Sequence, residues 1–281
     1  VDKIMSSSNA HSRFFLYSLI GIVVVTIAYV LVYQFQPLPG SWNDTILNFS
    51  YSAAAGLGAL AATLVWKQFQ PGEMPRRVWG FFALGLWGWT LGETLWAIFA
   101  VTMDEVPDLS LADLPWVGAY VFFAISFFLQ FRLIYGVRRA AERKWLIFGL
   151  CVSVVGALLG TLLMRGLGGE TEQAWLETYV AVFYPLADLM LVIAAVKLWR
   201  VFGRGMWGRA WIGLLVMAIS DLLYTFLTFS GLYAQSAADG NPLSLLADTL
   251  YFDSYLLLAV ACYAQYLLLR HGPPATAAEI E

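Results

Sequence analysis

Acidic residues within strongly apolar segments are the part of this sequence that could do chemistry. Four of them lie well inside such segments, namely Glu93, Asp188, Asp221 and Asp253, and two more, Asp113 and Asp248, lie near segment ends. An ionised carboxylate at the centre of a membrane-spanning helix costs roughly 2.5–3.5 kcal/mol. No basic residue is found at a matching depth. We therefore expect these carboxyl groups to be protonated, hydrogen-bonded or neutralised by a bound partner.

Aromatic residues accompany these acids and indicate what they could bind. The candidates are Trp96, Trp116, Tyr184, Tyr224, Tyr251 and Tyr255. A site lined by acidic and aromatic groups favours a cation or an amine. The alternative is that the acids are neutral and join helices through Tyr and Ser hydroxyls, each contact contributing about 0.6–2 kcal/mol.

One apolar segment carries these residue types on a single face. Glu177, Tyr184 and Asp188 are spaced at i, i+7 and i+11, which places them on one side of an α-helix. Pro185 removes a backbone hydrogen bond and predicts a kink between the last two. Irregular backbone within a bilayer is tolerated where it is buried or lines a cavity. We therefore expect this face to form one wall of a pocket.

The rarest residues exclude several kinds of membrane chemistry. His11 and His271 lie at the chain ends, which excludes haem ligation and histidine-based metal catalysis within the membrane. The lysines lie at or beyond segment ends, so no amine is placed for a retinal Schiff base. Cys151 and Cys262 lack ligand spacing and are expected to pack. No cofactor is predicted, and whether a metal binds stays open.

Composition predicts the elements that position these residues. The chain has 281 residues, of which 60% are hydrophobic and 12% charged, whereas about 25% are charged in soluble domains. A helix needs about 20 apolar residues to cross a bilayer. We predict an all-α, polytopic integral membrane protein with eight transmembrane helices. They are expected at about residues 14–33, 46–67, 78–102, 113–134, 144–164, 175–199, 209–231 and 246–269.

The basic residues predict the orientation of the chain. All but one of the 16 Lys and Arg residues fall in the N-terminal tail or after the second, fourth, sixth or eighth segment. Such residues favour the cytoplasmic side, which predicts a multi-pass protein of the cell (inner) membrane, with both termini cytoplasmic and the acids in the outer half of the bilayer. The predicted domains are a tail at 1–13, a transmembrane domain at 14–270 and a tail at 271–281.

The two halves of the transmembrane domain, about 14–136 and 144–270, carry a similar order of residues. The matched elements are Gly92–Trp96 with Ser220–Tyr224, Asp113 and Tyr120 with Asp248 and Tyr255, and, more weakly, Tyr51 with Tyr184. Four spans in each half predict a parallel 4+4 internal repeat. The second half carries the extra acids, Asp188 where the first half has Ala55 and Asp253 where it has Gly118.

The order of these motifs resembles a known membrane module over most of residues 78–270. The matching elements are Gly92-Glu-Thr-Leu-Trp96, Ser110-Leu-Ala-Asp113, Tyr184-Pro-Leu-Ala-Asp188, Ser220-Asp-Leu-Leu-Tyr224, Leu246-Ala-Asp248 and Tyr255. They resemble the multispanning sensor region at the N-terminus of some bacterial diguanylate cyclases, phosphodiesterases and histidine kinases. The resemblance implies that an extracytoplasmic or membrane-borne signal is passed to a cytoplasmic output domain. No such domain follows Arg270, so we expect either a truncated chain or a stand-alone form that acts through a partner.

A more distant resemblance is to the eight-span lysoplasmalogenase family. It is carried by the Gly-acid pair at Gly92, the Ser-Asp pair at Ser220 and the triplet Tyr263-Ala-Gln265. This resemblance implies that the acids take part in hydrolysis.

The leading hypothesis is a non-enzymatic membrane protein that senses a signal or binds a ligand. The expected partners are a cationic or small amphipathic ligand and a cytoplasmic or membrane protein, and no nucleic acid is expected. The alternatives are an accessory or structural subunit of a larger membrane complex and an intramembrane lipid hydrolase; transport is a weaker possibility. The predicted ligand-binding residues are Glu93, Trp96, Asp113, Tyr184, Asp188, Asp221, Tyr224, Asp248, Tyr251, Asp253 and Tyr255.

Overall fold

The computed structural model describes residues 2–39, 41–103, 107, 109–135, 175–202, 209–233 and 241–271. Within these residues the chain is all-α, as predicted, and forms seven helices. They are α1 (Asp2–Phe35), α2 (Trp42–Trp66), α3 (Met74–Thr102), α4 (Asp113–Tyr135), α5 (Trp175–Phe202), α6 (Ala210–Phe229) and α7 (Pro242–His271). The helix predicted at 144–164 lies outside the described residues.

Six of the seven described helices are long and apolar enough to cross a membrane. The protein is therefore a multi-pass membrane protein. Helix α1 starts much earlier than the apolar segment predicted at 14–33, because the helix extends back through the polar residues to Asp2. Helix α5 continues on both sides of Pro185.

Helix α3 is the one described helix that falls short of this apolarity. It is rich in Gly, Trp and Thr and contains Glu93. Its small residues let neighbours approach closely: a Cβ atom added at Gly85 would lie 2.6 Å from the Phe123 ring, and one added at Gly92 would overlap Trp116. Because α3 packs along both α2 and α4, much of its surface contacts protein, and it needs less apolar surface than a helix surrounded by lipid.

Helix α7 occupies the middle of the described bundle. It contacts α1, α2, α3 and α6. Small residues again permit the close approach: a Cβ atom added at Gly58 of α2 would lie 3.8 Å from the Ala259 backbone, and one at Gly213 of α6 would lie 3.0 Å from Leu258. Side chains that point inward from α7 therefore reach several neighbouring helices.

Helices α4 and α5 run parallel to each other. Asp113 of α4 contacts Tyr184 of α5 at 2.6 Å, and Tyr120 of α4 contacts Asp188 of α5 at 2.7 Å. The contacts advance in the same direction along both helices, as they do in a parallel pair. This register places the acidic residues of α4 and α5 at the same level of the bundle.

Candidate functional site

Glu93 is the most heavily bonded acid of the described bundle. Its side chain is 2% exposed. One carboxyl oxygen, Oε1, accepts hydrogen bonds from the Trp116 indole at 3.1 Å, the Tyr251 hydroxyl at 2.9 Å and the Tyr255 hydroxyl at 2.7 Å. Three donors on one oxygen suit a carboxylate and join α3 to α4 and α7. Glu93 therefore ties three helices together.

Asp188 is bonded on one oxygen only. It is completely buried, and its Oδ1 accepts a hydrogen bond of 2.7 Å from the Tyr120 hydroxyl. Its other oxygen, Oδ2, has no hydrogen-bond partner within the described part of the chain. A buried polar atom without a partner costs roughly 1–3 kcal/mol. Asp188 is therefore the acid whose environment is incomplete.

Asp221 of α6 lies beside Asp188 and interacts with it electrostatically. Two ionised carboxylates provide acceptors but no donor, so Asp221 satisfies Asp188 Oδ2 only when a proton lies between them. Asp221 also lies within electrostatic range of Glu93 and Tyr120. The Asp188–Asp221 pair thus adjoins the hydrogen-bond network around Glu93.

Asp113 is held at the start of α4. Its Oδ1 accepts a hydrogen bond of 2.6 Å from the Tyr184 hydroxyl, and its Oδ2 accepts one of 2.7 Å from the backbone N–H of Ser110. The Ser110 hydroxyl in turn accepts the backbone N–H of Ala112 at 3.2 Å. Asp113 therefore closes the turn before α4 and connects it to α5.

Asp248 lies near the start of α7 in a second group of tyrosines. The Tyr233 hydroxyl donates a hydrogen bond of 2.9 Å to Asp248 Oδ1. Burial and the adjacent Asp248 raise the pKa of Tyr233, which follows α6, well above its ordinary value. Tyr233 consequently remains a donor at neutral pH. Tyr224, a predicted site residue, packs against the Tyr233 ring at 4.8 Å.

Asp253 belongs to a separate contact on the α1 side of α7. Its Oδ1 accepts a hydrogen bond of 2.6 Å from the Thr26 hydroxyl of α1. Its carboxyl group is about half buried, unlike that of Asp188. Asp253 therefore joins α1 to α7 and offers a comparison for the deeper acids.

Aromatic rings join the Glu93 and Asp188 contacts into one cluster. Trp116 packs against Trp96 at 5.9 Å and against Tyr184 at 6.3 Å between ring centroids. Tyr184 also packs against Tyr120 at 6.1 Å. These distances lie in the range of favourable aromatic pairs. The rings form a wall next to the acids.

The structure brings together most of the predicted site residues, but in more than one group. We use the name acid–aromatic cluster for the larger group, which contains Glu93, Trp96, Asp113, Tyr184, Asp188, Asp221, Tyr251 and Tyr255 together with Trp116 and Tyr120. Asp248 and Tyr224 lie with Tyr233, and Asp253 lies with Thr26.

Tyr120 and Thr26 were not among the predicted site residues. Tyr120 could have been identified because it stands seven residues after Asp113, as Tyr255 stands seven after Asp248. Thr26 gave no such signal, because a single Thr in an apolar helix usually bonds to its own backbone.

The charge environment of these acids is uniformly acidic. Among the described residues, none of the hydrogen bonds to them comes from Lys or Arg. The predicted segment between Trp145 and Met164 also contains no basic residue. Within the described ranges, no three His, Cys, Asp or Glu side chains are grouped as a metal ion would require.

Comparison of the chain with models of protein families, with curated proteins and with solved structures found no match. The resemblance to bacterial sensor modules is thus supported by no family or relative. What is established is a multi-span helical membrane protein with a buried acidic and aromatic cluster.

Proposed function

We propose that this protein is a signal-sensing or ligand-binding membrane protein whose site is the acid–aromatic cluster, centred on Asp188. The observation that carries the proposal is the unpartnered Oδ2 of Asp188 beside Asp221, with Tyr120 already occupying Oδ1. Outside the Asp188–Asp221 pair, the described acids of the bundle accept hydrogen bonds from other helices or turns and act as structural links, namely Glu93, Asp113, Asp248 and Asp253. A ligand with a hydrogen-bond donor would complete the one environment that the fold leaves incomplete.

The proposed topology has eight crossings, with both termini cytoplasmic. The parallel direction of α4 and α5 supports it: if both cross the membrane, the chain must cross back between Tyr135 and Trp175. The segment predicted at 144–164 supplies that crossing. The acid–aromatic cluster then lies in the outer half of the membrane, in agreement with the positions of the basic residues.

The proposed parallel repeat is supported by pairs of equivalent residues that lie near each other with the halves exchanged. Tyr184 of the second half bonds to Asp113 of the first. The equivalent residues, Tyr51 and Asp248, lie within electrostatic range of each other. Such exchange of partners is typical of a two-fold arrangement.

A second pair of equivalent positions is related in the same way, one by a hydrogen bond and the other by electrostatic proximity. Glu93 of the first half bonds to Tyr255 of the second. The equivalent residues, Asp221 and Tyr120, also lie within electrostatic range. On this proposal, Asp188 is an addition to one half only, because Ala55 stands at the equivalent position.

The proposed function can be tested with fractions of a small-molecule cell extract. The chain is placed in lipid nanodiscs, and its melting temperature is measured with cationic, anionic and neutral fractions. We expect the cationic fraction to raise the melting temperature of the wild type and of Asp253→Asn, but not that of Asp188→Asn. If no fraction distinguishes the wild type from Asp188→Asn, the proposal is wrong.

A further inference from the structure

The hydrogen-bond needs of the Asp188–Asp221 pair indicate the chemical class of its ligand. Asp188 is completely buried, Tyr120 supplies the single donor to its Oδ1, and Oδ2 faces no donor in the described residues. Resting on the proposed function, we propose that the pair binds a primary ammonium group, and that the ammonium displaces a proton that the two carboxyl groups share when the site is empty.

A primary ammonium matches the cluster better than other cations. It offers three N–H donors, which suits a site that contains carboxylate oxygens and lacks donors. Calcium requires six to eight oxygen ligands, and the described residues contain no group of three or more acidic, His or Cys side chains placed to hold a metal. The rings of Tyr120 and Tyr184, which pack together at 6.1 Å, add an aromatic surface that favours a cation.

The shared proton follows from the charges that surround the pair. Among the described residues, the titratable groups facing it are Glu93 from α3, Tyr120 from α4, Tyr184 from α5, and Tyr251 and Tyr255 from α7. All of these are acids or phenols, and none supplies a positive charge. Two adjacent carboxyl groups in such a site do not both ionise easily without a nearby positive charge. The empty pair therefore retains a proton between its oxygens.

The exchange balances in charge and in protons. The empty pair, with one proton, carries a charge of −1. When the ammonium enters, the oxygen–proton bond breaks and the proton passes to water, leaving two carboxylates around one positive charge. The net charge of the site is again −1, so binding adds no net charge to the membrane interior.

Calorimetric titration in nanodiscs tests both parts of the inference. Methylammonium chloride and tetramethylammonium chloride are compared near neutral pH, because both are monovalent but only methylammonium has N–H donors. We expect methylammonium to bind, and tetramethylammonium to bind at least about tenfold more weakly. Repeating the titration in buffers of different ionisation enthalpy should reveal one proton released for each methylammonium bound.

Two variants test whether methylammonium binding and proton release depend on the Asp188–Asp221 pair. Asp188→Asn should lower methylammonium affinity about tenfold or more and abolish proton release, whereas Asp253→Asn should behave like the wild type. Equal binding of the two cations would overturn recognition through N–H donors, and binding without proton release would overturn the exchange. If methylammonium does not bind, the inference is wrong, while the response to extract fractions still decides the proposed function separately.

Discussion

Glu93 and Tyr255, which are 162 residues apart in the chain, are joined by a hydrogen bond of 2.7 Å. The Tyr255 and Tyr251 hydroxyl oxygens also lie 3.0 Å apart, so the two phenols stand side by side around the carboxylate. This contact joins α3 to α7, and both residues are almost completely buried. The acid is therefore part of the packing of the bundle, and its partner should affect stability.

We expect Tyr255→Phe to lower the free energy of unfolding by about 1 kcal/mol, because interhelical hydrogen bonds in membranes are worth roughly 0.6–1.7 kcal/mol. The free energy of unfolding is measured in mixed micelles by increasing the fraction of dodecyl sulfate. Tyr263→Phe is the control, since Tyr263 lies on the same helix and is 37% exposed. An equal loss in both variants would contradict a specific role for the Glu93 contact.

Gly92 is expected to be intolerant of a side chain. A Cβ atom there would overlap the Trp116 indole, which donates to Glu93. Overpacking of this kind costs about 1–3 kcal/mol, so Gly92→Ala should lower the melting temperature. Gly118→Ala provides the matched control because a Cβ atom there meets nothing within 4 Å, and Ala favours a helix by about 1 kcal/mol over Gly. Equal melting temperatures for the two variants would argue against tight packing at Gly92.

The fold class could be predicted from composition, but one helix shows where hydropathy becomes a poor guide. Helix α3 was expected as a span, yet it is the one described helix without a stretch apolar enough to be identified as a membrane span. Its Gly and Trp residues and Glu93 contact neighbouring helices, and such surface need not be apolar. Hydropathy measures the preference of a segment for lipid, so it underestimates a helix surrounded by protein.

The acids of the site could be predicted, but most of their donors could not. A carboxylate in an apolar segment is conspicuous by itself. Its donor may lie anywhere in the chain: Tyr120 is 68 residues from Asp188, and Thr26 is 227 residues from Asp253. Helical periodicity indicates the face on which a residue lies but not the helix that it meets, so Tyr120 and Thr26 were missed.

The proposed topology predicts which turns are accessible from outside the cell. After Cys151 and Cys262 are replaced by Ala, single cysteines are introduced as Leu38→Cys, Met103→Cys and Glu73→Cys. We expect an impermeant maleimide to label the first two in intact cells, because the turns before α2 and α4 face outward. Glu73→Cys should react only after permeabilisation, since it lies beside Arg76 and Arg77 in the first turn of α3. The reverse pattern would refute the orientation.

Asp188→Asn should stabilise the protein while weakening its site. In the wild type, Asp188 Oδ2 is completely buried and is satisfied only by a proton shared with Asp221. An Asn amide donates to Asp221 permanently while its carbonyl still accepts from Tyr120. A buried acceptor that loses its proton is left unsatisfied at a cost of about 1–3 kcal/mol. The Asn variant avoids this cost, so we expect a higher melting temperature in nanodiscs. Asp113→Asn is the matched control, because both oxygens of Asp113 already accept hydrogen bonds and its substitution should lower the melting temperature. A functional site is expected to lower the stability of the protein that contains it. If Asp188→Asn lost as much stability as Asp113→Asn, Asp188 would be a structural link and not part of a ligand site.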